Sequence, residues 1–265
     1  MDSPTVSVLL TVYNGEPYLK ETIQSILDQT YSDFELVVVN DGSIDATPEI
    51  LASIDDNRLQ VFNQPNRGRP QALNHGLIHC RGKFISIIDD DDLAAPHRLE
   101  QQVSFLEEQP DIDIVGSWYE RRHESETPID VENVEVPTTD KLVREALPTY
   151  NPLAHSSVTY RKSAVSQVGG YNVSLQSCVD YDLWVRLAAA EFKFAAINES
   201  LCTIRKHSHR SFNFSGRDRL RRWFTTWSIQ RQATQQRGDS IVDQLRVGVR
   251  SIKILVADIV DELRR

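Results

Sequence analysis

Apolar residues fall along the first hundred positions of the chain in blocks of two kinds. Val6 to Val12 (Val-Ser-Val-Leu-Leu-Thr-Val), Phe34 to Val39, Leu59 to Phe62 and Lys83 to Ile88 are short runs rich in β-branched residues. Runs of this kind predict strands buried on both faces. Between them, apolar residues recur at helical spacing: Leu19, Ile23, Ile26 and Leu27; Leu73 and Leu77; Leu99, Val103 and Leu106. Turn and capping residues stand where the blocks end. Tyr13-Asn14-Gly15 breaks the first strand, Pro17 suits a first helical turn, Thr47-Pro48 makes a cap, and Asn66-Arg67-Gly68-Arg69-Pro70 leads into a helix. Strand alternating with helix predicts an α/β fold with a parallel sheet covered by helices.

The pattern loosens after this point. Ile114 to Tyr119 and Ser156 to Tyr160 read as strands, Glu120 to Leu147 as an insertion across the surface, and Gly169-Gly170 as a turn. Asp180-Tyr181-Asp182-Leu183-Trp184 opens a helix with a buried stripe of Leu183, Leu187 and Ala190. Lys193 to Ile197 and Leu201 to Arg205 read as two short strands. Two helical segments with a break at Gly238 close the chain. In the last, Leu245, Val249, Ile252, Val256, Ile259 and Leu263 form a seam that packs on its own domain, a second copy or a partner.

In parallel sheets ligands bind beyond the carboxyl ends of the strands. Three of the predicted strands end there in polar loops: Tyr13-Asn14, Asn40-Asp41-Gly42-Ser43 and Asp89-Asp90-Asp91-Asp92. Right-handed crossovers bring those loops to one edge. Four adjacent carboxylates repel one another, and a hard divalent cation relieves the repulsion. Mg²⁺ or Mn²⁺ takes one or two protein oxygens and fills its shell with water and substrate phosphates. The alternative for such a run is a solvated acidic loop.

A net charge of −9 argues against a general nucleic-acid binder, which needs a basic face. Cys80, Cys178 and Cys202 form neither a zinc spacing nor a disulfide framework, which points to a reducing interior. Met1-Asp2-Ser3-Pro4 lacks a basic n-region, so no signal peptide is expected. No apolar segment approaches the ~20 residues that span a bilayer. The expectation is a cytoplasmic protein, or one held at the cytoplasmic face of the membrane.

Taken together, Val6 to Asn14, Asn40-Asp41-Gly42-Ser43, the Asp89 to Asp92 run, Gly169-Gly170-Tyr171 and Asp180-Tyr181-Asp182-Leu183-Trp184 resemble, in order, the family-2 inverting glycosyltransferases of GT-A fold. The resemblance covers about the first two hundred residues. It implies a GT-A (nucleotide-diphospho-sugar transferase) fold with a mixed, mostly parallel sheet flanked by helices. Residues 1–210 would form the catalytic domain, with a nucleotide-binding half (1–110) and an acceptor half (111–210). Residues 211–265 would form a helical extension. It also implies a nucleotide-sugar donor, UDP-linked for preference, bound with Mg²⁺ or Mn²⁺, and transfer to a glycan, polysaccharide or lipid-linked acceptor.

Carried over by position, Asp41 would contact the base or ribose, and Tyr13 would pack near the base. Asp89 and Asp91 form the Asp-X-Asp pair around Asp90. Asp91 would bind the metal directly, with Asp89 toward the ribose or the metal shell. Asp180 matches the catalytic base, although many relatives carry Glu where Val179 precedes it here. His207 or His209, in the block Arg205-Lys206-His207-Ser208-His209-Arg210, resembles a metal or phosphate contact of a closing loop.

Each assignment has a structural alternative. Asp41-Gly42 can be a plain turn, Asp180 a first-turn acid favoured by the helix dipole, and His155 a structural residue rather than an acceptor contact. Arg67 and Arg69 either meet the diphosphate or hydrate a loop. The basic block through Arg217, Arg219, Arg221 and Arg222 is a solvated face, a phosphate contact or an attraction to an anionic membrane surface. Peripheral membrane association and a dimer through the C-terminal helices both remain open. A catalytically idle scaffold of the same fold is the rival of a different class. A sugar nucleotidyltransferase ranks behind it, because Tyr13-Asn14-Gly15-Glu16-Pro17 stands where such enzymes carry a Gly-rich basic signature.

Overall fold

The computed structural model describes residues 3–124, 129–207 and 216–236, the last segment by backbone alone up to residue 223. The four predicted strands form β1 (Val6–Val12), β2 (Phe34–Asn40), β3 (Leu59–Asn63) and β4 (Phe84–Asp89), all mutually parallel. They alternate with α1 (Leu19–Leu27), α2 (Thr47–Ala52) and α3 (Arg69–His79). Then follow β5 (Leu93–Ala94), α4 (Arg98–Glu108), β6 (Ile114–His123), β7 (Asp130–Val134), α5 (Asp140–Ala146), β8 (Thr159–Arg161), α6 (Lys162–Gln167), α7 (Val179–Ala189), β9 (Phe194–Lys206) and α8 (Gly216–Gln236). The sheet order is β3-β2-β1-β4-β8-β6-β9-β5, with β7 paired to β6. β8 runs against β4 and β6, so the sheet is mixed but mostly parallel.

Strand periodicity sorts the core into two layers. Val8, Leu10 and Val12 of β1 pack with Leu19, Ile23 and Ile26 of α1 and with Leu99 and Val103 of α4. Leu9 faces the other way, toward Ala72 and Leu73 of α3 and Leu183 and Leu187 of α7. Ile229 and Ala233 of α8 join that second layer, so α8 docks on the body of the fold. Register then sets the working edge. Thr11 lies opposite both Val39 and Asp89, and Val12 opposite Asn40, which lies opposite Asn63, so β1, β2, β3 and β4 end together.

The later chain departs from the sequence pattern in several places. The two short strands expected near 193–205 are one strand, β9. Its register against β6 shifts between Ser117 and Glu120, where Asn198 and Glu199 are accommodated out of register. That irregularity is why the polar residues resembled a loop. The stretch 120–147 is largely structured, because β6 continues to His123, pairs with β7, and is followed by α5 capped by Thr139. Ser156 and Ser157 lie in a 3₁₀ turn ahead of β8 rather than in a strand. Ser157 donates to the Ala154 carbonyl at 2.8 Å, a local bond that competes with a ladder. Ala190 lies past the end of α7 and is exposed; Ala188 takes its place in the core. The expected boundary at 210/211, His209, the Gly238 break and the seam from Leu245 to Leu263 lie outside the described residues. Among the described residues no helix is long and apolar enough to cross a membrane.

Candidate active site

The loops after β1 and β2 are knitted together. The Asn14 N–H donates to Ser43 Oγ at 2.9 Å, and the Ile44 N–H to Asn14 Oδ1 at 2.9 Å. Tyr13 is left 41% exposed on this rim. Asp41 is 3% exposed, and its carboxylate helps to build the edge. Its Oδ1 accepts from Gln64 Nε2 (2.7 Å) and the Arg67 N–H (2.9 Å), and its Oδ2 from the Gly68 N–H (2.9 Å). Gln64 is itself held by His75 Nδ1 at 2.7 Å. Gly42, at φ +77°, turns the chain so closely under this loop that a Cβ would stand 2.6 Å from the Asn66 nitrogen. Asp41 therefore fixes residues 64–68, and the next residue, Arg69, opens α3. The Arg67 side chain points into solvent.

The four aspartates after β4 meet four different surroundings. Asp89 pairs with the Arg69 guanidinium and lies 3.4 Å from His155 Nδ1. Asp90 packs over Gly15; burial, then the charges of Asp91 and Asp89, push its carboxyl up to about 8. Asp91 Oδ2 lies 3.0 Å from His207 Nε2, and the His207 ring rests on Tyr18 at 4.2 Å. Asp92 is 1% exposed; it accepts from Ser156 Oγ and, at 3.1 Å, from the Arg205 N–H. Sequence reasoning missed Asp92 as an anchor, although it lies in the run that drew attention. Tyr18 carried no signal at all.

The second half of the chain closes the site. Arg69 also donates to His155 Nδ1 at 2.8 Å, which makes that nitrogen an acceptor and leaves Nε2–H to meet the Tyr171 hydroxyl at 2.8 Å. His155 is thus joined to the acids through Arg69. Burial opposes the Arg69 charge, but Asp89, Asp180 and Asp90 outweigh it and raise its pKa. Asp180, in the first turn of α7, accepts from Asn151 Nδ2 at 2.7 Å, and its charge acts on both Arg69 and Tyr171. The loop carrying Tyr171 is fastened to α3, because Asn74 binds the Tyr171 N–H and carbonyl, each at 2.8 Å. Gly170, at φ +71°, makes this approach, since a Cβ there would lie 2.6 Å from Asn74 Oδ1. Asp89, His155 and Asp180 therefore gather around Arg69, with Asp91 and His207 paired beside them, Asp41 under the loop before Arg69, Tyr13 on the rim and Arg67 turned to solvent. Asn151, Asn74 and Gln64, which hold them, were not singled out.

Residues 7–169 match the model for glycosyl transferase family 2. The chain belongs to that family. An uncharacterized glycosyltransferase of Rickettsia typhi is 32% identical over 235 residues, covering 85% of this chain and 71% of that protein. The putative glycosyltransferase EpsE of Bacillus subtilis is 33% identical over 223 residues, covering 80% and 78%. Against a glycosyltransferase of Rickettsia bellii the identity is 33%, but the match spans only 30% of that longer protein. In fold, this family-2 chain is similar to S. aureus TarS 1–349 in complex with UDP-GlcNAc (TM-score 0.69, 19% identity, 95% of this chain and 71% of that one). It is also similar to the mannosyltransferase PcManGT of Pyrobaculum calidifontis in complex with GDP-Man and Mn²⁺ (TM-score 0.64, 17% identity, 99% and 81%). The GT-A fold expected from the sequence is the fold observed.

A divalent cation suits the donor set of this family-2 site. Carboxylate oxygens of Asp89, Asp91 and Asp92 lie within 4.8 Å of one another. Asp92 is held at both oxygens by Ser156 and Arg205, and Asp89 by Arg69. Asp91 and His207 bring a hard oxygen and an imidazole nitrogen side by side, 3.0 Å apart, on the scale of one or two protein ligands that Mg²⁺ or Mn²⁺ takes. Burial is the main cause that pushes the Asp90 carboxyl up to about 8; the charges of Asp91 and Asp89 add to it, and only that added part is what a cation would offset.

Proposed function

We propose that this chain is an inverting glycosyltransferase that moves a sugar from a nucleoside-diphosphate sugar, UDP-linked for preference, to a hydroxyl of a glycan, polysaccharide or lipid-linked acceptor. The observation that carries the reading is the Arg69 hub: one guanidinium, seated by the loop that Asp41 orders, pairs with Asp89 and senses Asp180 across the edge of the sheet. Acids from three distant parts of the chain thus serve one cleft. Tyr13 offers a ring face to the base and Asp41 an acceptor edge to base or ribose. Asp89 and Asp90 border the ribose, and Arg69 presents positive charge to the diphosphate.

Asp91 and His207 would hold the Mg²⁺ or Mn²⁺. When bound, the ion supplies charge that offsets the negative charge growing on the departing diphosphate. Asp180, fixed by Asn151, accepts the proton of the acceptor hydroxyl as its oxygen attacks the anomeric carbon. The new C–O bond forms on the face opposite the bond to the phosphate oxygen. That bond breaks with its electron pair passing to the diphosphate, and the configuration inverts. No covalent intermediate is required.

Two measurements test this. Nucleoside diphosphates with Mn²⁺ should raise the melting temperature, because a ligand that binds only the folded state stabilises it. With the donor so identified, Asp180→Asn should lower kcat by about 10²–10⁴, the usual contribution of a general base, while donor affinity holds. Full turnover by Asp180→Asn would remove the base assignment.

A further inference from the structure

Arg205 entered the sequence reading as part of a basic block of unsettled role, yet its side chain is 1% exposed and turned inward. A guanidinium is costly to bury without partners, and this one has them on three sides. It donates to the Asp91 carbonyl at 2.9 Å, pairs with Glu21 of α1, and lies 3.4 Å from Glu124 beyond the end of β6. It also stands over the Tyr18 ring at 5.2 Å, while its own backbone N–H binds Asp92. His207, the residue just past the end of β9, reaches Asp91 as well, at 3.0 Å. Asp91 is therefore gripped twice, at its carbonyl by Arg205 and at its carboxylate by His207. Tyr18 lies beneath both of them.

We infer that Arg205 is the positioning residue that holds Asp91 and His207 in the geometry for a divalent cation, fastening the end of β9 to α1 and to the aspartate turn. The inference rests on the cation reading given above. Arg205 does not ligate; it acts through Asp91 and His207. Lysine is a poor substitute, because the Asp91 carbonyl, Glu21 and Glu124 face three different guanidinium nitrogens, Nη1, Nη2 and Nε, and lysine places all its donors on one.

The test is Mn²⁺ affinity, measured by electron paramagnetic resonance on the full chain with and without UDP, together with UDP affinity in EDTA. Changing a residue that orients metal ligands typically costs 10–100-fold in metal affinity. Arg205→Lys, folded by circular dichroism, should weaken Mn²⁺ binding by at least about tenfold and leave UDP affinity in EDTA unchanged. Glu21→Gln removes one guanidinium partner at a side chain that is 64% exposed, where folding is safe, and should weaken Mn²⁺ in the same direction to a lesser degree. Mn²⁺ affinity equal to that of the unsubstituted protein in folded Arg205→Lys would overturn the inference. If Arg205→Lys does not fold, equal affinity in Glu21→Gln does so. Absence of Mn²⁺ binding by the unsubstituted protein, with or without UDP, would overturn the cation reading and this inference with it. The EDTA arm then reports separately whether the nucleotide reading stands.

Discussion

Replacing Asp41 by Asn separates two roles that one carboxylate could play. As a nucleotide contact alone, Asp41 should be dispensable to the empty protein, and removing a buried charge from a ligand site often raises stability. The geometry says otherwise. Asp41 accepts three hydrogen bonds, from Gln64, the Arg67 N–H and the Gly68 N–H, at 2.7, 2.9 and 2.9 Å. Asparagine can keep its oxygen toward Gln64 and Arg67, but those bonds fall from the ~1.5–3 kcal/mol of a charged acceptor to about 1 kcal/mol. Its amide then faces the Gly68 N–H donor to donor, and an orphaned donor costs about 1–3 kcal/mol. Water reaches part of this loop, so we take the lower end of the sum, about 2 kcal/mol, for the ligand-free protein. At about 2–4 °C per kcal/mol for a chain of this size, the melting temperature should fall by about 4–8 °C. Thermal unfolding without nucleotide or metal reads this directly. An unchanged or raised midpoint would mean that Asp41 does not hold the 64–68 loop, and the route from Asp41 to Arg69 would be lost.

Other expectations follow from the same geometry. Gly170→Ala places a Cβ against Asn74 and forces a φ of +71° on a residue that resists it, at about 1–2 kcal/mol for the backbone plus the loss of the Asn74 bonds. Gly169→Ala, at φ +80° with nothing within 4 Å, should show the backbone cost alone, so chemical denaturation should rank Gly170→Ala as clearly the worse. For Glu35, burial works to raise the carboxyl, but hydrogen bonds from Ser7, Arg81 and Gln60 outweigh it and hold its pKa below the ordinary 4.5. A carboxylate lowered on folding contributes stability that is complete above about 4.5 and lost as pH falls through the folded value. Glu35→Gln should therefore destabilise the protein at pH 7 and flatten the acid side of its stability curve; an acid limb as steep as before would count against the argument.

The first hundred residues are legible in the sequence because their strands are mostly buried on both faces and their loops carry turn residues. Nothing competes there with local preference, and the register that sets Thr11 opposite Val39 and Asp89, and Val12 opposite Asn40, follows from parallel pairing. The later chain is harder. Asn198 and Glu199 look like a loop, yet the ladder with β6 continues around them. Ser156 looks like a strand residue, yet its hydroxyl serves Asp89 and Asp92 instead. In both cases a tertiary partner decides, and no periodicity encodes it. The same holds for the supports of the site. Asn74, Asn151, Gln64 and Glu21 are ordinary polar residues until the fold sets Tyr171, Asp180, Asp41 and Arg205 beside them.

The aspartate run shows why four adjacent acids need not be four equivalent ligands. Asp89 is compensated by Arg69 and tied through it to His155, ahead of β8. Asp92 is a buried strut between Ser156 and the backbone of β9. Burial first, and then the charges of Asp91 and Asp89, hold the Asp90 carboxyl up at about 8. Asp89 and Asp92 fix the turn, and both depend on chain that follows them by 60 residues or more: Ser156 and His155 before β8, Arg205 at the end of β9. Asp91 differs in kind. The imidazole it meets is itself a metal-ligand type, so that contact can be exchanged for a shared cation without dismantling the turn. A family match that ends at residue 169 contains all four aspartates but neither Arg205 nor His207. By this reasoning residues 7–169 alone would keep the acids yet lose the two side chains that hold Asp91 in place.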